Sequence, residues 1–158
     1  EAMTSEDCSF SVGVMNAGKW VNCVSSKASA EVLSMSKRQE DLDDGIARML
    51  EHNDPDGEVI TKVKLGLTRP VWTPSTAGLK LVELANDLAT QLGQPFRHES
   101  SVGGSDGNFT GAMGVPTLDG LGVAGDKYHT LEEHIEIDSL AMRGRMMAGL
   151  LMGIDQNF

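Results

Sequence analysis

The chain has 158 residues, enough for one domain or two small ones and for a core burying about two thirds of its unfolded surface. Its 23 acidic against 13 basic residues give a formal net charge of -10, which argues against a nucleic-acid binder, since such proteins normally show a basic face. With 40% hydrophobic and 23% charged residues the chain is globular, and no apolar run is long enough to cross a bilayer. Cys8 and Cys23 could pair only once, so they build neither a disulfide framework nor a four-thiolate zinc site. They read as small buried side chains. The chain opens Glu-Ala-Met-Thr, without a charged-then-apolar leader and without an initiating methionine. That start fits a processed chain or a piece of a longer one.

In chain order, Phe10, Val12 and Val14 alternate with smaller residues and predict a half-buried strand over 9–15. Asn16-Ala17-Gly18 offers a turn, and Trp20 to Val24 reads as a short second strand. Lys27 to Met35 alternates again. From Lys37 the period changes to that of a helix of about four turns, with Leu42, Ile46, Met49 and Leu50 on its apolar face. Asn53-Asp54-Pro55-Asp56-Gly57 breaks it. Glu58 to Leu67 returns to alternation, so the first part predicts a β-β-β-α-β sandwich, one sheet carrying a helix. The proline-bearing stretch 69–75 reads as a hinge. Pro74-Ser75-Thr76 opens a second helix lined by Leu81, Leu84, Ala85, Leu88 and Leu92, with Gly93 as its C-terminal glycine. Short strands are expected at Gln94–His98, Val115–Leu118 and Glu132–Ile137. Between the first two lies the glycine-rich run Gly103 to Asn108, feeding a short helix that ends near Gly114. Asp138-Ser139 should cap a last helix that carries Leu140, Met142, Met146, Met147, Leu150 and Leu151, with its methionine-rich stripe reading as core. Alternating helices and strands in this half suggest an α/β layer with partly parallel pairing.

Four histidines could carry chemistry. His52 reads as a cation at a helix C-terminus, His98 as a surface or supporting residue, and His134 as an exposed edge-strand residue. His129 follows Gly125-Asp126-Lys127-Tyr128 on a loop, a usual place for functional groups, and is left open between a solvated residue and a metal ligand. Zinc needs three or four ligating side chains, and no His-Glu-x-x-His or paired thiols are present. Gly103-Gly104-Ser105-Asp106 fits an anion nest and equally an N-cap in which Ser105 or Asp106 satisfies the first turn. It is not a phosphate-binding Gly-Lys-Ser/Thr loop.

Three motifs in order carry a resemblance: Gly-Gly-Ser-Asp-Gly-Asn-Phe at 103–109, Gly-Val-Pro-Thr-Leu-Asp-Gly-Leu-Gly at 114–122, and Tyr-His-Thr-Leu-Glu-Glu-His-Ile-Glu-Ile-Asp-Ser-Leu at 128–140. They resemble the C-terminal segment of the di-zinc amidohydrolase and carboxypeptidase family, which includes glutamate carboxypeptidase, acetylornithine deacetylase, succinyl-diaminopimelate desuccinylase and aminoacylase. Val12-Gly13-Val14, Gly18, Val21-Asn22-Cys23-Val24 and Ala28-Ser29-Ala30-Glu31-Val32 resemble the latter part of that family's inserted lid, or dimerisation, domain. The resemblance implies an α/β fold class: a fragment of a two-domain metallopeptidase, with an α+β sandwich lid portion over 1–68, a hinge at 69–75 and part of the catalytic domain over 76–158. It implies that His129 ligates one of two bridged zinc ions, for which cobalt or manganese can stand in. Asn22 would bind the substrate's carboxylate or the region of the reacting carbonyl, and Gly104 and Ser105 would contact substrate backbone. The implied reaction is hydrolysis of an amide or peptide bond beside a carboxylate in a small-molecule or peptide substrate. The implied assembly is a homodimer, without nucleic acid or membrane partners.

Two departures from the family pattern stand out. Met35 occupies the position, thirteen residues after the asparagine, where relatives often carry an arginine that clamps the substrate carboxylate. A thioether cannot form that bidentate pair, so either the substrate does not end in a carboxylate or another cation, such as Arg69, serves. The family's other ligands, a His-x-Asp, a bridging Asp, a Glu-Glu pair with the general base and a further acid, belong to a preceding half that is not in this sequence. Glu132-Glu133 follows the ligand histidine and is not that catalytic pair. The expectation is a C-terminal fragment that holds an incomplete zinc site and is inactive alone, the alternative being a non-catalytic binding or dimerisation module.

Overall fold

The computed structural model describes residues 8–157, with side chains described through residue 154. The Glu-Ala-Met-Thr start lies outside the described residues. The chain divides into two compact units, residues 8–71 with 101–104 and residues 72–100 with 105–157.

In the first unit, β1 (Cys8–Ala17) and β2 (Ala28–Ser36) form an antiparallel hairpin running from the Cys8–Ser36 pair to the Ala17–Ala28 pair. A register shift between Val12 and Val14 leaves Gly13 out of the pairing, as in a β-bulge. Helix α1 (Gln39–Leu50) places Glu40 and Asp41 in its first turn and Arg48 in its last, each suited to the helix dipole. Its Leu42 and Gly45 are buried, and Gly45 faces the hairpin. A glycine inside a helix costs about 1 kcal/mol relative to alanine. Here it permits close approach, because a Cβ on Gly45 would lie 2.6 Å from Cys8 Sγ and 3.3 Å from Phe10 Cζ. Cys8 is consequently only 2% exposed, with its Sγ 3.3 Å from Ser34 Oγ. Arg48 covers the Phe10 ring at 5.6 Å.

Two expected strands are absent from this unit. Trp20–Val24 belongs to the loop joining β1 to β2, because the ladder closes at Ala17 and Ala28 and leaves 18–27 to turn. Val21 and Val24 stand exposed, and Cys23 is exposed rather than buried. Glu58–Leu67 makes a single bridge, in which Thr61 exchanges backbone hydrogen bonds with Asp54 at 2.8 and 3.0 Å. Alternation needs a neighbouring strand to become a ladder, and among the described residues none lies beside this segment. The expected sandwich is thus one hairpin packed with one helix.

The second unit holds α2 (Thr76–Gln91), α3 (Gly107–Ala112), β3 (Gly125–Asp126), β4 (His134–Ile135) and α4 (Ile137–Asn157). Ser75 caps α2, its Oγ accepting from Gly78 N–H at 3.1 Å. Gly93, at φ +66°, ends it in a Schellman motif, with Gly93 N–H donating to Thr90 O at 3.0 Å and Gln94 N–H to Ala89 O at 2.8 Å. α3 ends the same way at Gly114, where Val115 N–H donates to Thr110 O at 3.1 Å. The core joins Ala85 and Ala89 of α2 to Met146 and Leu150 of α4, with Leu84, Leu88, Phe96, Leu118 and Leu121 packed around them. Only part of the methionine stripe is core: Met146 is buried, whereas Met142, Met147 and Met152 keep much of their surface.

Three sequence expectations change here. Gln94–His98 and Val115–Leu118 are not strands, because Phe96 and Leu118 reach the helix–helix core from loops and Gln94 and Val115 complete helix caps. Of Glu132–Ile137 only His134 and Ile135 pair, with Asp126 and Gly125, and α4 has already begun at Ile137. Asp138 and Ser139 therefore lie in its first turn and not before it. Both sheets among the described residues are antiparallel pairs, not the partly parallel layer expected. Among the described residues no helix is long and apolar enough to cross a membrane.

Candidate functional site

His129 sits in the loop 127–133 that joins β3 to β4. Two non-glycine residues of this loop, Lys127 at φ +58° and His129 at φ +64°, adopt the left-handed conformation, which costs an L-residue about 1–2 kcal/mol. The loop carries the hydrogen bonds that offset this. Lys127 N–H donates to Asp126 Oδ1 at 2.7 Å, and Lys127 O accepts from Thr130 Oγ1 at 2.7 Å and from Thr130 N–H at 3.2 Å. Tyr128 Oη donates to Gly125 O at 3.0 Å, and Lys127 Nζ pairs with Glu132. His129 N–H donates to Glu133 Oε2 at 3.2 Å.

At the foot of the loop, Ser139 is 2% exposed. Its Oγ accepts from Ala124 N–H at 2.9 Å and donates to Glu136 O at 2.6 Å, while Glu136 N–H donates to Ala124 O at 2.9 Å. The start of α4 is thereby tied to the entrance of β3. His129 itself is exposed, and among the described residues no hydrogen bond engages its imidazole. His134 differs, because its Nδ1 lies 2.9 Å from Glu132 O. The two carboxylates of the Glu132-Glu133 pair are both held within this loop.

The glycine-rich run divides between the two units. Gly104 belongs to the first, where its backbone lies against Arg69: a Cβ there would sit 3.1 Å from Arg69 Cδ. Ser105 belongs to the second and behaves as a capping residue. Its Oγ accepts from Gly107 N–H at 3.1 Å, while its own N–H donates to Asn108 Oδ1 at 2.9 Å. Asp106, the residue preceding α3, makes no side-chain cap bond. α3 is further held by the Trp72 ring packed on Gly111 and by a 2.9 Å bond from Thr117 Oγ1 to Thr110 Oγ1.

Asn22 lies exposed on the 18–27 loop of the first unit, with Cys23 Sγ 3.8 Å from its Oδ1. The loop turns at Gly18, φ +71°, whose N–H donates to Ser25 Oγ at 2.8 Å, and Ser25 Oγ donates to Lys27 O at 2.7 Å. Met35 lies on β2 opposite Ser9, within the ladder. His52 and His98 are exposed and stand apart from these loops in the sequence.

Sequence reasoning passed over Glu133 and Ser139 as shapers of the His129 loop. The visible signal was slight: a carboxylate four residues after the histidine, and a hydroxyl at the start of the last apolar run. Among the described residues no three His, Cys, Asp or Glu side chains are grouped to hold a metal ion, so these residues do not by themselves fit a two-metal centre.

Residues 6–153 match peptidase family M20/M25/M40. The chain is 26% identical over 151 residues to carboxypeptidase G2 of Pseudomonas sp. strain RS-16, covering 92% of this chain and 36% of that protein. It is 32% identical over 74 residues to the uncharacterized protein YqjE of Bacillus subtilis strain 168, covering 47% of this chain and 20% of that protein. The chain thus spans little more than a third of the longer-matched curated relative. Its fold is similar to that of aminopeptidase PepT from Bacillus cereus ATCC 10987, with a TM-score of 0.65 and 22% identity over 96% of this chain and 41% of that one. The chain belongs to peptidase family M20/M25/M40.

Proposed function

We propose that this chain is the C-terminal part of a metal-dependent hydrolase that cleaves an amide or peptide bond beside a carboxylate, as a carboxypeptidase or an N-acyl amino acid deacylase. In this reading residues 1–68 are the latter part of a lid, 69–75 a hinge and 76–158 part of the catalytic domain. His129 is the one metal ligand this chain contributes, to a zinc pair whose other ligands lie in a preceding half. Asn22, Gly104 and Ser105 contact the substrate. The observation that carries the reading is the family match across residues 6–153, which spans the 128–140 motif and its exposed histidine.

Arg69 is the cation for the substrate carboxylate in place of the arginine that Met35 replaces. Its stem lies against Gly104, the residue assigned to substrate backbone. A guanidinium suits a carboxylate through two parallel hydrogen bonds, which a thioether cannot supply. The partial span of the relatives, 36% of carboxypeptidase G2 and 41% of the aminopeptidase chain, supports the fragment reading.

The test is elemental analysis of the 158-residue chain at confirmed mass, joined to an assay on N-acyl amino acids and dipeptides. Metal well below one ion per chain, and no turnover above a His129→Ala control, are expected. Two zinc ions per chain with turnover lost in that control would overturn the fragment reading.

One observation favours a second reading, a dimerisation module without catalysis. Each strand of the β1–β2 hairpin has an unpaired edge among the described residues, and Val12, Met15 and Leu33 are exposed on it. Sedimentation of the chain as a homodimer, with dissociation on a charge substitution at Met15, would support it.

A further inference from the structure

We infer that Glu133 is a positioning residue for His129, its carboxylate holding the histidine backbone in the left-handed conformation and so aiming the imidazole. The functional meaning of this inference rests on the role proposed for His129; its physical content does not.

A histidine at φ +64° is strained relative to an extended or helical one, and such a residue persists only where its surroundings over-determine it. The bonds around it form a closed circuit. Thr130 N–H and Oγ1 both return to Lys127 O, at 3.2 and 2.7 Å. Thr130 Oγ1 in turn accepts from Glu132 N–H at 3.2 Å, and Thr130 O accepts from Glu133 N–H at 3.2 Å. This second turn brings the Glu133 side chain back across the loop, where Oε2 takes the His129 N–H at 3.2 Å. Glu133 is the only side chain, among the described residues, that bonds the His129 backbone.

Reversing the sign of φ at His129 would swing its Cβ to the other side of the loop. The bond to Glu133 therefore decides which way the ring projects, although it never touches the ring. Backbone held and imidazole open is the arrangement of a presented side chain. His134, whose ring is already engaged by Glu132 O, is not presented in this way.

The experiment is solution NMR on the whole 158-residue chain, comparing wild type with Glu133→Ala and Glu133→Gln. The readouts are the His129 amide-to-Hα coupling, the exchange rate of its amide and its imidazole carbon shifts. Glu133→Ala should move the coupling away from its left-handed value, speed His129 amide exchange by about tenfold and shift the ring carbons, with little change in melting temperature. Glu133→Gln keeps an accepting oxygen and should restore all three. Unchanged His129 signals in Glu133→Ala overturn the inference, as does a Glu133→Gln chain that behaves like the alanine variant. None of these readouts involves hydrolysis or bound metal. Two zinc ions per chain would thus overturn the fragment reading and leave the positioning result standing, whereas unchanged His129 signals in Glu133→Ala would overturn the positioning and leave the fragment reading standing.

Discussion

Two exposed loops, each closing an antiparallel pair, carry residues that the family resemblance singles out. Residues 18–27 bear Asn22 and residues 127–133 bear His129. The first turns at a glycine, Gly18 at φ +71°, and is pinned by one hydroxyl, that of Ser25. The second places two non-glycine residues in the same strained region and is tied by a succession of side-chain and backbone bonds, with buried Ser139 at its foot. A ladder of nine residue pairs supports the Asn22 loop, whereas only two residue pairs support the His129 loop. Where the sheet is too short to hold a loop, polar side chains within and below it take over that task.

The comparison is broken most severely at Ser139. Ser139→Ala leaves Ala124 N–H without its buried acceptor, which should cost about 2 kcal/mol. Urea unfolding should register that loss, and amide shifts should change across 124–136 while those of 18–27 stay put. A loss below about 0.5 kcal/mol, or changes spread evenly along the chain, would show that the foot of the loop is not its anchor.

Ser25→Ala is the matching test on the other loop. Its bonds are exposed, so the expected cost is only about 0.5 kcal/mol, with faster amide exchange at Gly18. A cost equal to that at Ser139 would erase the distinction between the loops. The smallest effect belongs to Lys127→Ala. It removes an ion pair whose side chains are 51% and 70% exposed, and such pairs contribute roughly 0–1 kcal/mol. A melting-temperature change that vanishes in high salt is expected, since exposed pairs are screened. A large, salt-insensitive loss would mean that Lys127 holds its loop by packing instead.

The helices were legible in the sequence because their signals are local. Ser75 before α2, Gly93 after it, and the spacing of Leu81, Ala85 and Leu88 act within one or two turns. The strands expected at 20–24, 58–67, 94–98 and 115–118 failed for the opposite reason. Alternation or an apolar run says which residues would share a face, but not whether a partner strand is there to receive them. Thr61 found only Asp54, and Phe96 and Leu118 found the helix core instead of a ladder. The candidate site shows the same divide. The motif around His129 was readable, while the left-handed backbone and the reach of Glu133 were not, because a carboxylate four residues downstream has no fixed destination outside a helix. Cys23 was misjudged on composition, since free cysteines are usually buried and only the turn between β1 and β2 exposes this one.

The close seat of Gly45 on the hairpin turns Cys8 into a clock. Its sulfur can meet an electrophile in solution only while α1 stands away from β1, so the rate at which it is alkylated counts those departures. Cys23, open to solvent in the same molecule, supplies the reference rate for an unshielded thiol.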